Sequence, residues 1–95
     1  MGWIIAGLSG LLIAAAGAAG LNPAGSPIVR TAPSGRISAV LFLDPCHVSV
    51  HSLPDRGVAL VDVLALDAAL ATKALEVFVR RLVPTAVTSD TRIRG

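Results

Sequence analysis

Four short apolar segments, separated by proline and glycine, limit the folds open to this chain of 95 residues. Proline and glycine favour turns and interrupt regular structure, so each break predicts a reversal of the chain. The segments are rich in Val, Ile, Leu and Phe, as strands are, and they occupy residues 27–31, 36–43, 47–52 and 58–66. In the third, Val48 and Val50 face one side, and His47, Ser49 and His51 face the other.

Two longer segments predict helices. The first runs from Ile4 to about Ala19, where Gly20 suits a helix end and Pro23 prevents continuation. The second runs over residues 68–82, where Asp67 can cap the first turn and Pro84 ends the helix. The final segment, residues 86–94, is strand-like but polar, which suits an edge strand. Two helices with four to five strands predict an α+β fold. We expect one domain, a two-layer sandwich with a mainly antiparallel sheet and both helices on one face.

The stretch from Trp3 to Leu21 carries no charged residue and is long enough to cross a bilayer. Its small residues also offer signal-peptide cleavage sites, at residues 16–18 and 18–20. The absence of Lys or Arg before it argues against export, and its wealth of Ala and Gly argues against a span. We therefore expect a buried helix in a cytoplasmic protein, with a small membrane-anchored protein as an alternative.

Composition excludes several classes of function. With 54% hydrophobic and 15% charged residues, the chain is too apolar for disorder and apolar enough to suggest a subunit interface. A net charge of +2, without aromatic residues among the basic ones, argues against nucleic-acid binding. Cys46 is the only cysteine, which excludes an internal disulfide and a multi-thiolate zinc site. Cys46, His47 and His51 show no metal-site spacing, so we expect no metal.

Several motifs from residue 24 onward recur together in one known family. They are Gly35-Arg36-Ile37-Ser38-Ala39-Val40, Pro45-Cys46-His47, Val48-Ser49-Val50-His51, Pro54-Asp55-Arg56-Gly57, Asp62-Val63 and Arg92-Ile93-Arg94-Gly95. In this order and spacing, they resemble the short prokaryotic S-adenosylmethionine decarboxylase proenzymes, which are pyruvoyl-dependent. The resemblance covers about three quarters of the chain and implies spermidine biosynthesis, a branch of polyamine biosynthesis.

The resemblance also implies a self-cleavage reaction and assigns residues to it. In the family, a serine hydroxyl attacks the preceding carbonyl, and β-elimination then leaves an N-terminal pyruvoyl group that forms a Schiff base with the substrate. By position, the cut falls at Pro45-Cys46, and Cys46 is the pyruvoyl precursor. His51 and Ser38 match processing residues, and His47 follows the cleavage point. The implied assembly is a homodimer, or a heteromer with a relative.

The chain departs from the family pattern at four positions. Cys46 replaces the serine, and a thiol can undergo the same acyl shift. Pro45 replaces a glutamate and crowds the carbonyl under attack. Leu66 occupies the place of the proton-donating cysteine and has no proton to give, while Asp67 beside it would face the opposite side of the strand. Leu53 replaces an aromatic residue. The family's first strand is also missing before the first helix.

These departures leave alternatives open. The chain could be an uncleaved paralogue that binds a metabolite or regulates an active relative, or an enzyme acting on another amino acid. A straight strand places Cys46 and His51 roughly 16 Å apart on opposite faces, so joint action needs a bend or a second subunit. Asp62 is expected to be structural, with Arg36 or Arg56 as its partner if it is buried. Asp55 is expected to be a turn residue.

Overall fold

The computed structural model describes residues 2–82 and 86–92, with side chains from residue 7 onward. It contains two helices, four strands and one 3-10 turn: α1 (Gly2–Ala18), β1 (Ile28–Thr31), β2 (Ile37–Phe42), β3 (His47–Leu53), the 3-10 turn (Pro54–Arg56), β4 (Val58–Leu64) and α2 (Ala68–Leu82). Both predicted helices and the four predicted apolar strands are therefore present. β4 ends two residues before the predicted end of its segment. The final segment, which sequence predicts to be strand-like, has no strand over residues 86–92, and residues 93–95 lie outside the described part.

The four strands form one antiparallel sheet in the order β1-β2-β3-β4. Short turns fix this order because each joins neighbouring strands. Between β1 and β2, the Gly35 amide donates to the Ala32 carbonyl at 2.9 Å, and Gly35 has φ +87°, which only glycine adopts without strain. The 3-10 turn joins β3 to β4 and sets Leu53 opposite Val58 and Ser49 opposite Asp62.

Both helices cover the same face of the sheet, as the sequence predicts. Alternate strand residues face the helices, so that Val48 and Val50 are buried while Ser49 between them is partly exposed. α1 packs across β1, β2 and β3, α2 packs on β4, and the two helices contact each other. The core unites both layers through Leu8, Leu11, Leu12, Ala15, Ala16, Ala19, Ile37, Ala39, Leu41, Leu43, Val48, Val50, Ala74, Val77 and Phe78. This two-layer arrangement confirms the predicted α+β fold.

α1 ends at the glycine that sequence predicts. Gly20 has φ +69°, a left-handed conformation that reverses the chain direction. The Leu21 amide donates to the Ala16 carbonyl at 2.9 Å, and the Gly20 amide donates to the Gly17 carbonyl at 3.1 Å. These two hydrogen bonds form a Schellman motif, which satisfies carbonyls at the helix end.

The other face of the sheet, which we call the open face, has no helix on it within the described residues. Its polar side chains are Arg30, Ser38, Ser49, His51 and Asp62, with His47 at the end of β3. Apolar side chains lie between them, and Phe42 is 53% and Leu60 is 54% exposed. Of the helices in the described residues, none is both long and apolar enough to cross a membrane.

Candidate active site

Cys46 lies in the tight turn that joins β2 to β3. The Leu43 amide donates to the Cys46 carbonyl at 2.9 Å and closes the turn, within which the Asp44–Pro45 peptide bond is cis. Cys46 has φ +87° and is the only non-glycine residue with positive φ in the described part of the chain. For a residue with a Cβ atom, such a conformation costs on the order of 1–3 kcal/mol. Its thiol is free and half-buried.

Ser38 and His51 form a side-chain pair on the open face. They lie directly opposite each other on β2 and β3, and the Ser38 Oγ atom is 2.7 Å from the His51 Nδ1 atom. The hydroxyl can donate to this nitrogen or accept from it, so a proton can be exchanged along the contact. The structure therefore brings together the two residues that sequence assigns to processing.

His47 and Asp62 form a second pair on the same face. The His47 Nε2 atom lies 3.0 Å from the Asp62 Oδ2 atom. The sequence predicts a structural role for Asp62, with Arg36 or Arg56 as its partner if it is buried. Asp62 is instead 54% exposed and contacts His47. In the β3–β4 hairpin, Ser49 lies opposite Asp62, so His47 and Asp62 are diagonal neighbours. The strand register is the feature from which this contact could have been predicted.

The two pairs lie at different ends of β3. β3 is continuous from His47 to Leu53, so the turn at Cys46 does not fold back toward His51. Five residues of extended chain separate Cys46 from His51 by roughly 16 Å within one subunit. The predicted bend lies in the turn before β3, outside the extended residues 47–51. Ser38 and His51 therefore do not reach Cys46 of their own chain.

Leu66 lies outside β4, in the connection to α2, and is 84% exposed. Asp67 does not lie on a strand either, which corrects the expectation that it faces the opposite side of β4. Its Oδ1 atom accepts a hydrogen bond from the Ala69 amide at 2.7 Å, so it caps α2 as the sequence predicts. Its carboxylate is therefore used in holding the helix start.

Asp55 and Arg36 form a bidentate ion pair between the 3-10 turn and the start of β2. Arg36 Nε donates to Asp55 Oδ1 at 3.3 Å, and Arg36 Nη2 donates to Asp55 Oδ2 at 2.9 Å. The hydrogen bond from Arg36 lowers the pKa of Asp55, and the same contact raises the pKa of Arg36. Both side chains are about half exposed, at 50% and 47%. Asp55 thus has a structural partner, in line with its predicted place in a turn.

Three cavities open where α2 and the chain at residues 86–92 meet, two of them against β4 as well. The largest has a volume of about 690 Å³ and is lined by side chains such as Val61, Phe78 and Val87. A second, of about 350 Å³, is lined by Asp62, Leu66 and Arg92 among others. None of the three is lined by Cys46, Ser38, His51 or His47. These four residues therefore do not line the cavities, although Asp62, which contacts His47, lines the second one.

Comparison with known proteins gives a family match and a solved structure with a similar fold. Residues 5–95 match the protein family described as S-adenosylmethionine decarboxylase, and the chain belongs to this family. The structure is similar to the crystal structure of the adenosylmethionine decarboxylase from Aquifex aeolicus VF5, with a TM-score of 0.75 and 22% sequence identity. That match covers 95% of this chain and 82% of the other. No curated protein matches the chain.

Proposed function

We propose that this protein is a self-processing, pyruvoyl-dependent decarboxylase that acts on S-adenosylmethionine in spermidine biosynthesis. The observation that carries the proposal is the conformation of Cys46, which holds φ +87° at the turn where the matched cleavage site falls. Strained backbone collects at sites of chemistry, because the surrounding structure must maintain it at a cost. Breaking the Pro45–Cys46 bond relieves that strain.

Cys46 has the chemistry that cleavage needs. Its thiol attacks the Pro45 carbonyl, the peptide C–N bond breaks, and a thioester and a free amino group result. Removal of the Cys46 α-proton then expels the thioacid, and hydrolysis of the remaining alkene gives ammonia and the pyruvoyl group. A proton acceptor and a proton donor must stand near the turn, and the Ser38–His51 pair can supply both because its hydroxyl oxygen and ring Nδ1 atom lie within hydrogen-bond distance, at 2.7 Å.

Since roughly 16 Å separates Cys46 from His51 in one chain, we infer that the pair acts on Cys46 of a second copy. The open face supplies the surface for such a homodimer. Phe42, Leu60, Ile28 and Val58 are each more than 40% exposed on it, and covering them removes apolar area from water. A two-fold axis across the face would place β3 of each subunit over the partner and would complete two equivalent sites.

The residues present fit a pyruvoyl group at position 46, since Cys46 carries a β-heteroatom that can be eliminated and its thiol is free. The group supplies a carbonyl that takes up the substrate amine and accepts electrons as CO₂ departs. The protein's own part is to position the substrate and move protons. The open face becomes a water-excluding site only when a second sheet covers it.

The test is an intact-mass measurement of the purified protein. Processing gives two fragments, residues 1–45 and residues 46–95, the second starting with a pyruvoyl group. Cys46→Ala is the matched control, because it removes the thiol and leaves the turn, and it should give one uncleaved mass. A single uncleaved mass for the unmodified protein after long incubation would refute the proposal, as would cleavage that persists in Cys46→Ala.

A second candidate function is favoured by Leu66. Its side chain is 84% exposed and carries no proton, and Asp67 beside it caps α2. A chain without an acid at this position suits an uncleaved paralogue that pairs with an active relative and regulates it. In that case the protein stays whole and co-purifies with the relative when both are expressed. Fractionation of expressing cells tests the further expectation that either form acts in the cytoplasm.

A further inference from the structure

The open face carries a histidine–carboxylate pair beside Cys46 that processing does not use. His47 directly follows Cys46, and its Nε2 atom is 3.0 Å from Asp62 Oδ2. On the sheet, His47 lies between Phe42 of β2 and Leu64 of β4, so apolar residues flank it on both neighbouring strands. The imidazole is 31% exposed, which leaves it in reach of both a ligand and water.

We propose that His47, oriented by Asp62, is the acid that delivers a proton to the substrate carbon that loses CO₂. The inference rests on the proposed function and extends it, because decarboxylation must replace CO₂ by a proton at the same carbon. When the C–C bond to CO₂ breaks, its electron pair stays with the substrate and forms a C–H bond with the proton from His47. The His47 imidazolium becomes a neutral imidazole as it gives up this proton, and a hydronium ion from the solvent restores it, so atoms and charge balance.

The contact between His47 and Asp62 indicates which ring nitrogen of His47 delivers the proton. A carboxylate can only accept a hydrogen bond, so Nε2 of His47 keeps its hydrogen on Asp62, and Nδ1 is the nitrogen that exchanges the proton. Histidine suits this task because it takes up and releases protons near neutral pH. Asp62 is thus a positioning residue, since it acts only through His47.

The positions that the family pattern offers for this acid do not supply one here. Leu66 has no proton, and Asp67 holds the start of α2. In the proposed dimer, the Ser38–His51 pair of the second copy also lies at Cys46, and the family pattern assigns that pair to processing. His47 therefore takes the place of an acid at position 66 from the opposite strand of the same hairpin.

The experiment compares the unmodified protein with His47→Gln and Asp62→Asn. Asp55→Asn serves as a matched control, since it also removes an exposed, ion-paired carboxylate, at a different place. Each protein is first weighed intact to measure cleavage. Release of CO₂ is then measured with S-adenosylmethionine labelled at the carboxyl carbon. We expect complete cleavage in all, a loss of about 10²–10⁴-fold in CO₂ release for His47→Gln, a smaller loss for Asp62→Asn, and no change for Asp55→Asn.

A second readout does not depend on activity. In the uncleaved Cys46→Ala protein, ¹⁵N NMR of the His47 ring, recorded at a pH where the ring is neutral, should show the hydrogen on Nε2. Adding Asp62→Asn should shift hydrogen toward Nδ1, because an amide can also donate to Nε2. An unchanged tautomer would overturn the positioning role.

Two further outcomes separate the inference from the proposed function. Full CO₂ release in a cleaved His47→Gln protein would overturn this inference alone, and failure of that variant to cleave would assign His47 to processing instead. An unmodified protein that never cleaves would overturn the proposed function and the inference together.

Discussion

Ser38 and His51 face each other across β2 and β3, with 2.7 Å between the hydroxyl oxygen and the ring Nδ1 atom. β3, which presents His51, begins one residue after Cys46, yet it extends away from the turn. One chain therefore presents a nucleophile at one end of the open face and a proton-exchanging pair at the other. Two chains related by a two-fold axis can bring these ends together.

Complementation between two inactive variants tests this arrangement. Cys46→Ala keeps the Ser38–His51 pair, and His51→Ala keeps the nucleophile, so neither homodimer has a complete site. Co-expression of the two should restore cleavage, and only in the His51→Ala chain, because that chain carries Cys46. Intact mass of differently tagged chains measures this. No cleavage in the mixture, with co-purification demonstrated, would exclude action between subunits.

The conformation of Cys46 predicts a difference between two variants that both lack the thiol. Glycine adopts φ +87° without steric cost, and alanine does not. Cys46→Gly should therefore be more stable than Cys46→Ala by about 1 kcal/mol, even though glycine normally costs stability by entropy. Urea unfolding of the two uncleaved proteins measures the difference. Equal stability, or a more stable alanine variant, would show that the turn is not strained at residue 46.

Two lysine substitutions, one on the open face and one on α1, test where the proposed dimer interface lies. Leu60 on the open face is 54% exposed, and Ile13 on α1 is 50% exposed. Leu60→Lys should weaken self-association because it buries a charge against a second sheet, while Ile13→Lys should not. Sedimentation equilibrium compares the two variants with the unmodified protein. A loss of association confined to Ile13→Lys would place the interface on the helical layer instead.

The Arg36–Asp55 pair predicts how stability depends on pH. The hydrogen bond from Arg36 lowers the pKa of Asp55 in the folded state, so folding favours the ionised carboxylate. This contribution is fully present above the unfolded pKa, about 3.9, and is lost as pH falls through the lower folded value. The difference in Tm between the unmodified protein and Asp55→Asn should therefore shrink in acid. A constant difference from neutral to acid pH would mean that the pair does not act through ionisation.

The cap on α2 predicts a local loss of stability. Asp67 accepts a hydrogen bond from the Ala69 amide at 2.7 Å, so Asp67→Ala should cost about 1 kcal/mol. Asp67→Asn should recover most of it, since asparagine caps as well as aspartate. Thermal unfolding followed by circular dichroism measures both. Equal losses in the two variants would indicate a role for charge rather than for the cap.

Sequence predicted most of the fold because local rules and tertiary packing agree in this chain. The alternation of Val48 and Val50 with Ser49 assigns the two faces of β3, and Gly20 marks the end of α1 at a left-handed residue. β4 was predicted too long because Ala65 and Leu66 continue its apolar run. The chain must leave the sheet there so that Asp67 can cap α2.

The site was predictable in part. Motif positions led to Ser38 and His51, and the register of the sheet accounts for their contact. The contact of Asp62 with His47 was not predicted, because sequence indicates a partner for Asp62 only if it is buried, and then an arginine. Arg36 instead lies beside the 3-10 turn, where Asp55 pairs with it. A diagonal pair such as His47 and Asp62 depends on the register between β3 and β4. The turn of that hairpin sets the register.

The turn at Pro45–Cys46 is also the only covalent link between the two halves of the molecule. The first half contributes α1, β1 and β2, and the second contributes β3, β4 and α2. Cutting this link leaves the halves joined by the β2–β3 ladder and by the packing of α1 on β3 and α2. Unfolding of the processed protein then separates two chains, so its melting temperature rises with protein concentration, whereas that of an uncleaved single subunit does not. After cleavage, refolding would require the two fragments to meet. In dilute solution the processed protein would therefore regain its fold with difficulty once it had unfolded.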